Sequence, residues 1–257
     1  MRDRRAAHKQ ARLDPRRTHE LPSKILNSLR SFMRAAVYKA PLRGPFRDLM
    51  LRLEQAAPSR KPEFWDQQLA GEFQSYLGGT ITVEGRNALV AVMLRHYVKE
   101  VRAVLDVGCA SGSLAKVLKQ SQDVDYTGVD ISEFAISQTD PADGDFFVSS
   151  LDDFSPKEGQ KFSGIVVAEV LYYLDPASAV ENAARLCSYL DFGGVLVVSM
   201  KNDVKSEVIF RGLEDRLQWV GGIAFQEHPL RPRFRTYKSR EYPAYLLGIF
   251  RENGAPS

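Results

Sequence analysis

The chain has 257 residues, 44% hydrophobic and 26% charged, the composition of a globular protein with one core of roughly 200 residues and a smaller appendage. No apolar run approaches the roughly 20 residues that span a bilayer, no secretory hydrophobic region follows the first charges, and Cys109 and Cys187 have no second Cys or His at metal spacing. The expectation is therefore a cytoplasmic protein with reduced thiols and no metal site. The net charge of +3 is unevenly placed: residues 1–61 hold 16 Lys/Arg and 5 Asp/Glu, the remainder 19 and 27. A basic arm thus precedes a mildly acidic domain, and such an arm suits nucleic acid, anionic lipid or an acidic face of its own domain.

Residues 1–20 are rich in Arg, Lys and His and poor in large apolar groups, so they read as a flexible basic tail. Residues 21–62 read as a helical extension. Within it Ile25, Leu26, Leu29, Phe32, Met33, Ala36 and Val37 recur at helical spacing, with Arg30, Arg34 and Lys39 between them. This basic amphipathic helix over 22–39 suits packing on the main domain or on a second subunit, and it also suits a membrane surface. A mitochondrial presequence is disfavoured by Asp3, Asp14 and Glu20. Pro41, Gly44 and Pro45 break the pattern, a second helical stretch covers 46–55, and Pro58 to Pro62 break it again.

Residues 63–257 read as the main domain. Helices are expected over 63–77, ended by Gly78-Gly79, and over 84–99. Short apolar runs then alternate with helical segments: strands over 101–107, 126–129, 146–149, 164–168 and 195–199, helices over 114–119 and 177–190. Residues 240–250 read as a late strand, antiparallel at the sheet edge. Strand–helix alternation implies an α/β fold, a Rossmann-like, doubly wound, mostly parallel sheet with helices on both faces.

The segment Val104-Leu105-Asp106-Val107-Gly108-Cys109-Ala110-Ser111-Gly112-Ser113-Leu114 runs from an apolar strand through small residues into a helix. Gly108 and Gly112 permit a tight turn and close backbone approach to a ligand, and the free N–H groups opening the helix favour polar or anionic atoms. Alone, the pattern also suits a turn without a ligand. Asp130 ends the following strand, about 20 residues on, where an acidic side chain binds both ribose hydroxyls of a nucleoside cofactor. Its alternative role is to cap a helix starting near Ser132.

Val-Leu-Asp-Val-Gly-Cys-Ala-Ser-Gly followed by Gly-Val-Asp resembles motifs I and II of class I S-adenosylmethionine-dependent methyltransferases, over roughly residues 63–200. Ala110 replaces the family's middle glycine, and the spacing departs from the Gly-x-Gly-x-x-Gly of dinucleotide-binding domains. The resemblance implies S-adenosylmethionine as cofactor. Asp106, Gly108, Cys109, Ala110 and Gly112 would hold its methionine part, and Asp130 with Ile131 its ribose. Ser150 or Asp152 would meet the adenine amine, and Leu151 would supply apolar contact and an N–H. The region around Phe64, Trp65, Phe73 and Tyr76 folds over the cofactor as a lid in related enzymes, which makes Tyr76 a candidate to face it.

Methyl transfer from a sulfonium is a direct displacement, so most of the work is alignment, and a base is needed only if the acceptor must lose a proton. Glu169, Tyr172 and Tyr173 follow a strand, where open parallel sheets bind ligands. The stretch Glu-Val-Leu-Tyr-Tyr-Leu resembles small-molecule N-methyltransferases of the nodulation NodS type, which act on an amino sugar. Glu169 and Tyr172 are the catalytic candidates, with Glu169 also against the cofactor, and a packing role is the alternative for the tyrosines. His96 and His228 are weaker candidate bases, the latter in a basic loop over 227–235 suited to an acidic substrate. The expected activity is methyl transfer to a nitrogen or oxygen of a small-molecule or saccharide-type acceptor. The alternatives are RNA methylation using the basic arm, a non-catalytic binding protein on the same fold, and a peripheral membrane enzyme anchored through 22–39.

Overall fold

Between residues 103 and 201 the chain alternates short β-branched runs with amphipathic helices, and the computed structural model turns that alternation into a parallel sheet. It describes residues 61–70, 83–201, 203–226 and 243–254. The expected tail over 1–20, the helices over 22–39 and 46–55, Phe73, Tyr76 and the loop around His228 lie outside these residues.

Two helices, α1 (Pro62–Ala70) and α2 (Val83–Tyr97), precede the sheet. Then follow β1 (Ala103–Val107), α3 (Ser113–Lys119), β2 (Asp125–Asp130), α4 (Glu133–Ser137) and, after a 3-10 turn at Pro141–Asp143, β3 (Asp145–Val148). β4 (Phe162–Ala168) exits into a 3-10 turn at Leu171–Tyr173, followed by α5 (Pro176–Cys187), β5 (Leu190–Lys201), α6 (Val204–Arg216), β6 (Gln218–Gln226) and β7 (Pro243–Arg251). The sheet order is β3-β2-β1-β4-β5-β7-β6. β1 to β5 pair in parallel, and β7 pairs antiparallel with β5 and β6.

Alternation along the central strands sends side chains to two cores. Leu105, Ile165, Val167, Leu196 and Val198 pack on Ala179, Ala183 and Leu186 of α5 and Ile209, Phe210 and Leu213 of α6. Val104, Val166, Val195 and Val197 face Val90, Ala91 and Leu94 of α2 and Leu114, Ala115 and Leu118 of α3. Burial on both faces is why these strands read as continuous apolar runs. The cores take in residues at the carboxyl ends of β1, β2 and β4, so the loops leaving those ends start from buried, packed strands.

The late strand is antiparallel as expected, but it lies inside the sheet, and β6 takes the edge. β6 escapes a periodicity reading because Gly221 and Gly222 remove its alternation. A Cβ on Gly221 would stand 2.0 Å from the Tyr97 hydroxyl, and one on Gly222 2.6 Å from the Leu247 carbonyl oxygen. Those glycines are thus set by neighbours distant in sequence. The helix expected over 177–190 stops at Cys187, because Leu190 already enters β5. Among the described residues no helix is long and apolar enough to cross a membrane.

Candidate active site

The loop leaving β1 is shaped by three consecutive departures into left-handed backbone. Gly108 has φ 78°, Ala110 φ 47° and Gly112 φ 74°. Glycine adopts this region freely and alanine with strain. At Gly108 a Cβ would lie 2.2 Å from Cγ2 of Val170 at the exit of β4, so the loop passes this neighbouring exit with no room for a side chain. The N–H groups of Gly108 and Cys109 both donate to the carbonyl of Val129, at 2.7 and 3.1 Å, which pins the loop to β2. Cys109 is buried, and its Sγ lies 2.9 Å from where a Cβ on Gly128 would sit. It packs the loop down onto β2, and burial pushes its thiol far above the ordinary range.

Two carboxylates flank this loop. Asp130, at the end of β2, accepts from Ala110 N–H through Oδ2 and from Ser132 N–H through Oδ1, each at 2.9 Å. Burial raises its pKa, with the N–H donors of Ser132, Ala110 and Ile131 opposing. Each oxygen keeps lone-pair capacity for a further donor, the arrangement a vicinal diol requires. Asp130 does not cap α4; Ser132 does, accepting from Ala135 N–H. Half-buried Ile131 sits between these two residues. Asp106, near the end of β1, accepts the Tyr126 hydroxyl at 2.5 Å. Burial pushes its pKa up to about 6, against the opposing pull of Tyr126 and Arg86.

An acid whose folded pKa exceeds its unfolded value binds its proton more tightly when folded, so its contribution falls as pH rises from about 4 to about 6 and stays low above. Asp106→Asn keeps an acceptor for Tyr126 and removes the buried charge. It is expected to raise unfolding stability at pH 8 by about 1–3 kcal/mol and to leave pH 4 nearly unchanged. Chemical denaturation at the two pH values measures this, and equal effects at both would refute the assignment of the charge.

Glu169 follows β4 in left-handed backbone, φ 62°. Its N–H still bonds Ser199 carbonyl at 2.8 Å, continuing the ladder with β5. Its carboxylate accepts the Tyr172 hydroxyl at 2.9 Å and the Ser199 hydroxyl at 3.0 Å. Burial raises its pKa, while Arg86, the two hydroxyls and Lys201 pull it down. A non-glycine residue held in this region by its surroundings marks stored strain, here spent on aiming a carboxylate. Burial and the Glu169 charge push the Tyr172 hydroxyl far above its usual range, so it keeps its proton and donates a hydrogen bond to Glu169.

Arg86, from the first turn of α2, carries the cation felt by Asp106, Glu169 and Tyr245. Its buried Nε has no hydrogen-bond partner among the described residues. Lys201 lies with its Nζ 5.0 Å from the Tyr172 ring and 3.4 Å from Asp203. Arg86, Ser199 with Lys201, and Tyr245 come from three separated stretches, and no spacing in the sequence singles them out.

The adenine-flanking residues are placed unevenly. Ser149 N–H donates to Asp130 carbonyl at 2.9 Å, which brings Ser150 and buried Leu151 beside the β2 exit. Ser150 donates its hydroxyl to Asp153 at 2.6 Å. Asp152 is turned to α5, accepting from Asn182 Nδ2 at 2.7 Å, so its carboxylate holds the loop to that helix. Arg185 braces the same loop through the carbonyls of Leu151 and Phe154. His96 is exposed at the end of α2 opposite Arg86, away from the carboxyl ends of the strands.

The donor set fits S-adenosylmethionine: a diol acceptor in Asp130, a loop without side chains in the way at Gly108 and Gly112, and in Arg86 a cation for the methionine carboxylate. The family described as "Methyltransferase domain" matches residues 44–240. No curated protein matches the chain in sequence. Among solved structures, the N-methyltransferase NodS from Bradyrhizobium japonicum WM9, with S-adenosylhomocysteine, is similar at a TM-score of 0.56 and 22% identity, covering 75% of this chain and 98% of that one. A chain from the complex of the Haloferax volcanii Trm112 methyltransferase activator and a putative methyltransferase gives 0.56 and 17%, covering 77% and 100%. The Burkholderia thailandensis 1,6-didemethyltoxoflavin-N1-methyltransferase, with 1,6-didemethyltoxoflavin and S-adenosylhomocysteine, gives 0.53 and 14%, covering 83% and 92%.

Proposed function

The chain belongs to the methyltransferase domain family, with S-adenosylmethionine as methyl donor, and from that premise we propose that it methylates an amine nitrogen on a small-molecule or saccharide-type acceptor. The observation that carries this reading is Glu169, a half-buried carboxylate fixed by Tyr172 and Ser199 at the β4 exit. Two of the similar structures are named N-methyltransferases, one with 1,6-didemethyltoxoflavin bound, which supports a small acceptor and nitrogen.

Bound S-adenosylmethionine supplies a methyl group already activated on sulfur. The chain's own task is alignment and proton handling. Asp130 would hold the ribose, and Arg86 would meet the methionine carboxylate. The Glu169 carboxylate accepts an N–H of the acceptor amine, which turns the nitrogen lone pair towards the methyl group. It then takes the proton that the methylated nitrogen releases. Tyr172 and Ser199 keep both carboxylate oxygens in place, and Tyr173 packs edge to face on Trp65, 4.6 Å apart, beside them.

Purified protein with methyl-labelled S-adenosylmethionine tests the acceptor class. Amino sugars and small amines are expected to take up label, and their N-acetylated counterparts are not. Label appearing only in hydroxyl compounds or in RNA would overturn the reading.

A further inference from the structure

Asp66 lies on α1, 66 residues before its hydrogen-bond partner Ser132. Its Oδ1 accepts the Ser132 hydroxyl at 2.5 Å and the Phe134 N–H at 3.1 Å. Ser132 is fully buried and donates its own N–H to Asp130 Oδ1, while Asp130 Oδ2 takes Ala110 N–H, each at 2.9 Å. A continuous line of hydrogen bonds therefore runs from α1 through Ser132 and Asp130 into the glycine loop. One residue earlier on α1, Trp65 stands edge-on to Tyr173, and Tyr173 packs against Tyr172 at 4.4 Å, whose hydroxyl holds Glu169. The helix thus bridges the exit of β2, where the ribose carboxylate lies, and the exit of β4, where the acceptor carboxylate lies.

The bond is not needed to cap α4. Ser132 Oγ already accepts from Ala135 N–H at 3.0 Å, the usual capping contact, and that contact survives without Asp66. Asp66 is thus a polar tie between α1 and the cofactor side of the site, beside the ring contact of Trp65.

We infer that Asp66 is a positioning residue that latches α1 across the mouth of the site and, through Ser132, couples release of the cofactor from Asp130 to opening of that helix. Coupling of this kind is reciprocal: a bound cofactor orders Asp130 and Ser132 and so steadies the latch, and the latch slows departure of the cofactor. Arrival depends on the open form and is little affected. The inference rests on the cofactor assignment only for the second half of the test.

The full chain is compared with Asp66→Ala and Asp66→Asn by hydrogen exchange and by stopped-flow release of S-adenosylhomocysteine. In the ligand-free protein, Asp66→Ala is expected to speed exchange of the α1 amides about tenfold, the effect of losing roughly one charged hydrogen bond. Release of S-adenosylhomocysteine is expected to quicken about tenfold, with association changed less than twofold and the thermal midpoint hardly moved. Asp66→Asn keeps an acceptor oxygen and is expected to recover most of both effects. Unchanged exchange and release in Asp66→Ala overturn the latch. So does a fall in thermal midpoint that Asp66→Asn shares, since that is the mark of a merely structural contact. Failure of the wild-type chain to bind S-adenosylhomocysteine would count against the cofactor assignment, while exchange in the free protein still reads the latch.

Discussion

Glu169→Gln is expected to lower kcat by about two to three orders of magnitude, the usual contribution of a positioned base, and to leave S-adenosylhomocysteine affinity within about threefold. The substitution preserves shape and keeps one oxygen for Tyr172 or Ser199, but an amide cannot take a proton from the acceptor. Because burial raises the pKa of this carboxylate, activity of the wild type should climb with pH through and above the ordinary carboxylate range, and this limb should vanish in the variant. Folding is not threatened. The same burial makes the charged form unfavourable in the native state, so removing it increases stability at neutral pH. Glu169→Gly relieves the left-handed backbone at φ 62°, worth about 1 kcal/mol, but it leaves the Tyr172 and Ser199 hydroxyls without their acceptor, so Glu169→Gln is the cleaner variant. A variant that is more stable and nearly inactive is the signature of strain kept for function. Steady-state kinetics on an amine acceptor, with thermal unfolding alongside, measures both; a kcat within threefold of wild type would remove Glu169 from the chemistry.

For Asp130→Ala the expected result is a loss of about 100-fold in S-adenosylhomocysteine affinity by calorimetry, close to 2.7 kcal/mol. Hydrogen bonds to a charged acceptor contribute about 1.5–3 kcal/mol each, and two ribose hydroxyls would converge on this group. Part of the loss is structural, because Ala110 and Ser132 each lose the acceptor of their N–H. Asp130→Asn separates the two effects. It retains one acceptor oxygen, so it can hold one N–H of the loop but not the whole diol, and an intermediate loss of about tenfold follows. Equal affinity in all three proteins would refute the ribose assignment.

Most of the central fold and half of the site are written locally in the chain. The runs from Val104 to Val107, Tyr126 to Val129 and Gly164 to Ala168 are apolar because strands covered on both faces bury every side chain. Gly108, Gly112 and Asp130 are recognisable because a strand–turn–helix fixes their distances through the backbone itself. Glu169 is legible for a similar reason, standing directly after a strand whose carboxyl end must face the ligand side.

What escapes local patterning is what depends on partners far along the chain. β6 owes its glycines to Tyr97 and the Leu247 carbonyl, so its sequence carries no alternation to read, and the late strand could not be placed inside the sheet without it. α6 left a fainter trace, with Asp203 accepting from Ser206 N–H and Ile209, Phe210 and Leu213 on one face. Asp152 looked like a cofactor ligand beside Ser150 and Leu151, yet Asn182, 30 residues on, claims its carboxylate. The residues around Glu169 show the same division. Arg86 from a helix before the sheet, Ser199 and Lys201 from β5, and Tyr245 from β7 meet it only after the strands are ordered β1-β4-β5-β7. Local sequence sets backbone conformation and which face is buried, because those depend on neighbours a few bonds away. Which charges share a buried space, and hence which carboxylate is aimed, strained and raised in pKa, is decided by packing that brings distant segments together.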